Sequence, residues 1–179
     1  RMSSAPRPAA TRSSPVILQS VPIGRAHLAG FHAAVDSVAK ERRYLAMLEA
    51  PSFTRTRRLV LDSLRAGAVH LVAVAGDEVI GWCDLRPKAA PTLRHSAVLG
   101  MGVVAAYRGQ GIGCRMLAPT LELAWARGIR RAELNVRSDN TAAIALYRRF
   151  GFVEEGACRN YVCIDGVDYD TLLMARLAP

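Results

Sequence analysis

Long apolar runs are missing from these 179 residues, although 51 % of the chain is hydrophobic. None approaches the roughly 18 residues that a membrane-spanning helix needs, so partners in the membrane are not expected. A charged, apolar and small-residue leader of the secretory type is missing too, and a cytoplasmic location is the expectation. Cysteines are few: Cys83, Cys114, Cys158 and Cys163 show no C-x-x-C spacing and no His partners in a zinc pattern. That argues against a disulfide framework and a zinc centre; no metal is expected. Acidic residues are outnumbered 15 to 24 by Lys and Arg, for a net charge of +9. The basic residues are scattered, and no RNP-like or finger pattern goes with them. The surplus reads as a solvated surface that welcomes an anionic ligand, with no nucleic acid as partner. Internal repeats are absent.

What the chain does have is RGQGIG at 108–113, with Gly109, Gly111 and Gly113 at every second position. An apolar run, VLGMGVVAAY, precedes it and an amphipathic helix pattern, CRMLAPTLELAWARG, follows. A glycine-rich turn from strand to helix brings backbone close to an anion and aims the helix's unpaired first-turn amides at it. A phosphate or pyrophosphate is the natural ligand. Nucleotide hydrolysis does not fit, because Cys114 and Arg115 stand where a Walker loop needs Lys and then Ser or Thr. A dinucleotide fingerprint fails as well. Counted from Gly111, its closing Gly or Ala falls on Met116, and Glu133 lies near the start of its strand, not at the end where a ribose would sit.

Arg108, Gly111 and Gly113 match the R/Q-x-x-G-x-G/A loop of the GNAT N-acetyltransferases, which grips the pyrophosphate of coenzyme A. A second segment, NTAAIALYRRFGF, supplies Asn140, Ala143, Tyr147, Gly151 and Phe152 and resembles that family's N-x-x-A-x-x-x-Y-x-x-x-G-F. One helix and the strand RAELNV separate the two, in the family's order. The resemblance runs from about residue 15 to the end and is strongest over 96–156. It implies an α/β (α+β) fold of the GNAT type. Six or seven mostly antiparallel strands would form a mixed sheet flanked by about four helices, splayed between the fourth and fifth strands to admit acetyl-CoA.

The pattern along the chain agrees. Residues 1–14 are Ser, Pro, Ala and Arg with little to bury and read as a disordered tail, leaving 15–179 as one domain. PVILQSV reads as a strand. Helical spacing runs through 26–48 with Leu28, Phe31, Val35 and Val38 on one face, and again over about 53–66 with Leu59, Val60 and Leu64 inward. Gly76-Asp77 and Asp165-Gly166 sit between apolar runs as hairpin turns. The expected order is one strand, two helices, three strands, helix, strand, helix and two strands.

Acyl transfer from a thioester to an amine requires holding the thioester, polarising its carbonyl, deprotonating the amine and protonating the leaving thiolate. The resemblance assigns the holding of coenzyme A to Arg108, Gly109, Gln110, Gly111, Ile112, Gly113 and Cys114, with Arg115 adding charge. It assigns the pantetheine arm and carbonyl to backbone of Met101, Gly102, Val103 and Val104, Val103 being the first candidate for polarising the carbonyl. Tyr147 is the candidate general acid, since a phenol near pKa ~10 stays protonated beside a thiol near ~8.5; an ordinary half-buried aromatic is the other reading. Asn140 suits two roles, a bond to pantetheine or a helix N-cap.

The base stays open between Glu133, a water held by Asn135, and backbone. In the ribosomal-protein alanine acetyltransferases a Glu stands where Asn135 is, and this departure points away from peptide N-termini. The segments DSVAKERRYLAMLEAP and EEGACRNYVCIDGVDYDTLLMARL resemble relatives that acylate free amino acids. They make Glu41, Arg42, Tyr44 and Tyr161 candidates for the acceptor side. The implied reaction is direct acetylation of a small-molecule amine in a ternary complex, with acetyl-CoA as cosubstrate. A homodimer is compatible with the family. The rivals are acetylation of a protein N-terminus or lysine, and a non-catalytic acetyl-CoA-binding module.

Overall fold

The computed structural model describes residues 18–179, so the tail read over 1–14 and the first residues of the opening strand lie outside the described residues. Seven strands and four α-helices follow in the expected order. They are β1 (Leu18–Pro22), α1 (Leu28–Lys40), α2 (Phe53–Arg65), β2 (Val69–Ala75), β3 (Glu78–Pro87), β4 (Ser96–Val103), α3 (Ile112–Ala126), β5 (Arg131–Arg137), α4 (Thr141–Arg149), β6 (Val153–Ile164) and β7 (Val167–Leu177). The strands make one sheet in the order β1-β2-β3-β4-β5-β7-β6. Every neighbouring pair is antiparallel except β4 and β5, which run parallel.

That one parallel pair is also the shortest. β4 and β5 are matched only from Ser96 to Val98 and from Arg131 to Glu133. Beyond Val98 the two strands part, while β5 goes on pairing with β7 through Arg137 and β4 with β3 through Val103. The sheet is therefore forked at its centre, as the family resemblance implies.

Apolar side chains fill both faces. Leu71, Ile80, Leu85, Met116, Leu117, Leu121, Phe152 and Met174 belong to the core that includes α3 and α4, and Leu28, Phe31, Val35, Val38, Val60, Val72 and Trp82 to the core under α1 and α2. The expected inward face of α1 is the observed one. Its extent is not: the helix ends at Lys40, well short of Leu48, and Arg42 takes a positive φ of 54°. Past Ala39 the sequence turns charged, and its next apolar residues, Tyr44 and Leu45, double back onto the second core. In α2 the inward residues are Thr56 and Val60, four apart, with Leu64 packed beside them. Leu59 was expected inward but is 53 % exposed, because its position lies a quarter-turn off that stripe.

Both turns read from sequence close hairpins. Ala75 faces Glu78 across Gly76-Asp77, and Ile164 faces Val167 across Asp165-Gly166, where φ is 52° and 79°. Two consecutive positive φ values are the demand of a type I′ turn, which Asp-Gly meets at low cost.

Candidate active site

A cavity of about 440 Å³ occupies the fork. The three glycines of the 108–113 loop serve different ends. Gly109 and Gly111 have φ of 74° and 75° with open space where a Cβ would stand, so it is backbone conformation that requires glycine. Gly113 has ordinary φ, but a Cβ there would come within 3.0 Å of Leu146 Cδ2, so it serves the close approach of α3 to α4. Gly111 is the N-cap of α3 and offers no side-chain cap, which leaves the first-turn amides of a 15-residue helix without a capping side chain at the cavity.

The edge of β4 supplies the second set of donors. Val104 N–H is bound to Ile80 O at 2.9 Å, one residue outside the Gly81–Val103 match. Bonding alternates along an antiparallel ladder, so Gly102 and Trp82 exchange bonds while the N–H groups of Met101 and Val103 turn to the other edge. That edge is the one β5 has left. The split strand thus presents two unpaired amides to whatever enters the fork.

Of the residues expected to hold coenzyme A, Met101, Gly102, Val103, Arg108, Gly109, Gly111, Ile112, Gly113 and Asn140 line this cavity, and so does Tyr147. Val104, Gln110 and Cys114 stand outside its lining. Arg108 is differently engaged from expectation. Its Nε donates to Val103 O at 2.9 Å, its two terminal nitrogens donate to Glu41 at 2.7 and 2.6 Å, and it lies 4.4 Å over the Tyr44 ring. The Glu41 carboxylate raises its pKa, so it stays a cation fixed to the segment after α1. Arg115, exposed on the first turn of α3, joins none of the ion pairs among the described residues and remains available to a phosphate.

Tyr147 is 7 % exposed, with its ring 5.7 Å from that of Phe152. Burial pushes its pKa up, and the neighbouring Cys83 adds to this. Asn140 caps α4 by accepting from Ala143 N at 3.3 Å, and it lines the cavity as well. Both of its expected roles are thus compatible with one geometry. Asn135 also lines the cavity.

Glu133 does not. Burial alone would raise its pKa, but Lys88 at 2.5 Å and Arg131 at 3.0 Å hold it below the ordinary value. It sits at the closed end of the fork, opposite Val98. Glu41 clamps Arg108, Arg42 pairs with Asp165 in the β6–β7 turn, Tyr44 lines the cavity, and Tyr161 is 57 % exposed away from it.

The sequence reading missed His70 and Asp84. They stand opposite each other on β2 and β3, each 6 % exposed. Burial, with a smaller push from Arg86, lowers His70 to about 4, while burial raises Asp84 to about 6 against the pull of Arg86. The consequences for stability have opposite signs. Asp84, whose carboxyl is raised in the fold, contributes stability below the unfolded value and loses it as pH climbs towards 6. His70, whose imidazole is lowered, contributes above 6.5 and loses it as pH falls towards 4. Between about pH 4 and 6 the two nearly cancel. Replacing His70 by Phe removes one side of the balance, so the stability of the variant relative to the parent should rise as pH falls from 7 to 4.5. The gain is on the order of 3 kcal/mol at most, taking 1.36 kcal/mol for each tenfold change in proton affinity. Urea unfolding at both pH values measures it, and an unchanged difference would show that His70 does not resist protonation.

The acetyltransferase (GNAT) family pattern matches residues 33–152. The L-amino acid N-acetyltransferase AaaT of Escherichia coli is 30 % identical over 115 residues, which cover 63 % of this chain and 70 % of that protein. The N-alpha-acetyltransferase RimI of Mycobacterium tuberculosis is 39 % identical over 104 residues, covering 58 % and 63 %. Among solved structures, a GNAT-family acetyltransferase from Streptococcus pneumoniae superposes with a TM-score of 0.84 at 24 % identity, over 90 % of this chain and 100 % of that one.

Proposed function

Because the chain belongs to the acetyltransferase (GNAT) family, and is an N-acetyltransferase that uses acetyl-CoA, we propose that its acceptor is the primary amine of a small molecule, an amino acid or similar metabolite. The observation that carries this is the segment over the fork. Arg108 of the anion loop holds Glu41, Arg137 of β5 donates to Arg42 O at 3.4 Å, and Arg42 itself pairs with Asp165 of the β6–β7 turn. The residues after α1 are thus bonded to both sides of the split, and Arg43–Ala46 line the cavity beneath. Such a cover leaves room for a compact acceptor and obstructs an extended peptide. The amino-acid acetyltransferase named above supports the same reading.

Acetyl-CoA brings a thioester whose carbonyl carbon accepts the amine. The first-turn amides of α3 and Arg115 hold its pyrophosphate. The N–H of Val103 donates to the carbonyl oxygen as charge develops there, and the N–H of Met101, two residues back on the same edge, is left for the pantetheine arm. Tyr147 gives its hydroxyl proton to the departing sulfur. Attack is direct: Cys83 is fully buried and burial pushes its thiol up to about 12, and Cys114 lies outside the cavity lining. No cysteine is placed to carry the acetyl group.

A second reading, acetylation of a peptide N-terminus, is favoured by the 39 % identity to the N-alpha-acetyltransferase. Release of CoA measured over free amino acids and over short peptides beginning with the same residues separates the two. Turnover of the free amino acids is expected; turnover of the peptides alone would establish the second reading.

A further inference from the structure

On the α1/α2 face of the sheet a second cavity, of about 200 Å³, lies over β2, β3 and β4. It touches the first at Leu45, Gly100 and Met101, which line both. Phe31, Leu59 and Trp82 make much of its wall apolar, and among the described residues its only charged or titratable lining groups are His70 on β2 and Asp84 and Arg86 on β3. α1, α2 and β4 bring none. The fold leaves one buried atom of this cluster without a partner. His70 is 6 % exposed and its Nε2 has no hydrogen-bond partner. Asp84 has the same exposure and an ion pair only with Arg86, at 2.9 Å, whose side chain is 53 % exposed. Buried polar atoms without partners are costly and rare. This group stands in an apolar pocket one residue from the strand edge that faces the thioester. Gly100 keeps the way open: a Cβ there would lie 2.8 Å from Asp84 Oδ1.

We propose that this cavity receives the acceptor as a zwitterionic α-amino acid with an apolar side chain, Asp84 binding its ammonium group and acting as its base while Arg86 takes its carboxylate. The inference rests on the small-molecule reading above. A zwitterion carries the charges of the Asp84–Arg86 pair in reverse, so it exchanges partners with that pair and leaves no charge uncompensated. The apolar side chain lies against Phe31 and Trp82, and His70 Nε2 is free to bond an acceptor oxygen or nitrogen. Asp84 takes one proton from the ammonium group and passes it to solvent. The neutral amine then attacks: the C–N bond forms, the C–S bond breaks, and the sulfur takes the Tyr147 proton. The second proton lost by the nitrogen restores the Tyr147 hydroxyl. A carboxylate raised to about 6 by burial is matched to accepting a proton near neutral pH.

The test uses L-leucine and L-phenylalanine, their carboxamides, and short peptides that begin with the same residues. Asp84→Asn should keep the protection from heat that acetyl-CoA confers and lose 10²- to 10⁴-fold in kcat/KM for the free amino acids, the range typical of a general base. Arg86→Gln should raise KM for the free amino acids at least about tenfold more than for the carboxamides, the loss of one charged contact. This exposed position gives a readout even where Asp84→Asn folds poorly. Free amino acids turned over by the parent with both variants within about threefold of it would overturn the placement and leave the small-molecule reading standing. Turnover by the parent of peptides only overturns both; turnover of none of these acceptors overturns the placement of an apolar amino acid here.

Discussion

Replacing Tyr147 by Phe should slow acceptor-dependent release of CoA by about 10²-fold or more, the usual cost of removing a general acid, and leave the affinity for acetyl-CoA unchanged. The ring is enclosed by Phe152 and the α3/α4 core, and Phe keeps that packing. The change is therefore confined to one hydroxyl. A phenol whose pKa burial has raised is a poor acid for a thiolate in water. Burial beside the ring disfavours a bare thiolate as it does a phenolate, so the sulfur is stabilised by the hydroxyl proton as the C–S bond opens. Single-turnover rates with saturating acetyl-CoA check the prediction. A Phe variant as fast as the parent would remove Tyr147 from the chemistry.

The largest effect on stability is expected at Gly102. A Cβ there would fall 2.3, 2.6 and 2.8 Å from three carbons of the Trp82 ring. Trp82 is 4 % exposed and packed edge-on against Phe31 at 5.8 Å, so the ring has nowhere to go. Gly102→Ala should cost about 3 kcal/mol, the upper end of ordinary overpacking, and lower Tm by roughly 6–12 °C for a chain of this size. It should also weaken acetyl-CoA binding, because displacement of Gly102 moves the amides of Met101 and Val103 on either side. Gly109→Ala is the control: no atom lies within 4 Å, only a positive φ must be borne, and the cost is about 1–2 kcal/mol. Equal losses at the two positions would contradict the packing account.

Element order was legible because each signal was local. The Asp-Gly and Gly-Asp turns, the apolar stripe of α1 and the strand–glycine–helix passage at 108–113 each declare themselves within a dozen residues. What was not legible depends on one-residue offsets and on distant partners. Counted back from the Gly76-Asp77 turn, His70 would face Cys83, and Asp84 would point to the other side of the sheet. A bulge between Ala73 and Val74 shifts the register by one, and His70 meets Asp84 instead. The one mark of that bulge is Gly81 inside VIGWCDLR, beside the extra residue Ile80, and a lone strand glycine does not by itself say that the register shifts there. The occupation of Arg108 by Glu41 was hidden for a different reason: 67 residues separate them, and only the early end of α1 brings them together. The fork itself came from resemblance, since the parting of β4 from β5 after three matched residues follows from no periodicity. Leu59 shows the remaining weakness, a correct helix rotated by one position.

The account has the acetyl group pass straight from thioester to amine, with both substrates held at once on either side of β4. Initial rates measured over a grid of acetyl-CoA and acceptor concentrations test this most directly. Double-reciprocal lines that intersect are the predicted result. Parallel lines would mean that CoA leaves before the acceptor binds, and would require an acetylated group on the enzyme that this site does not provide.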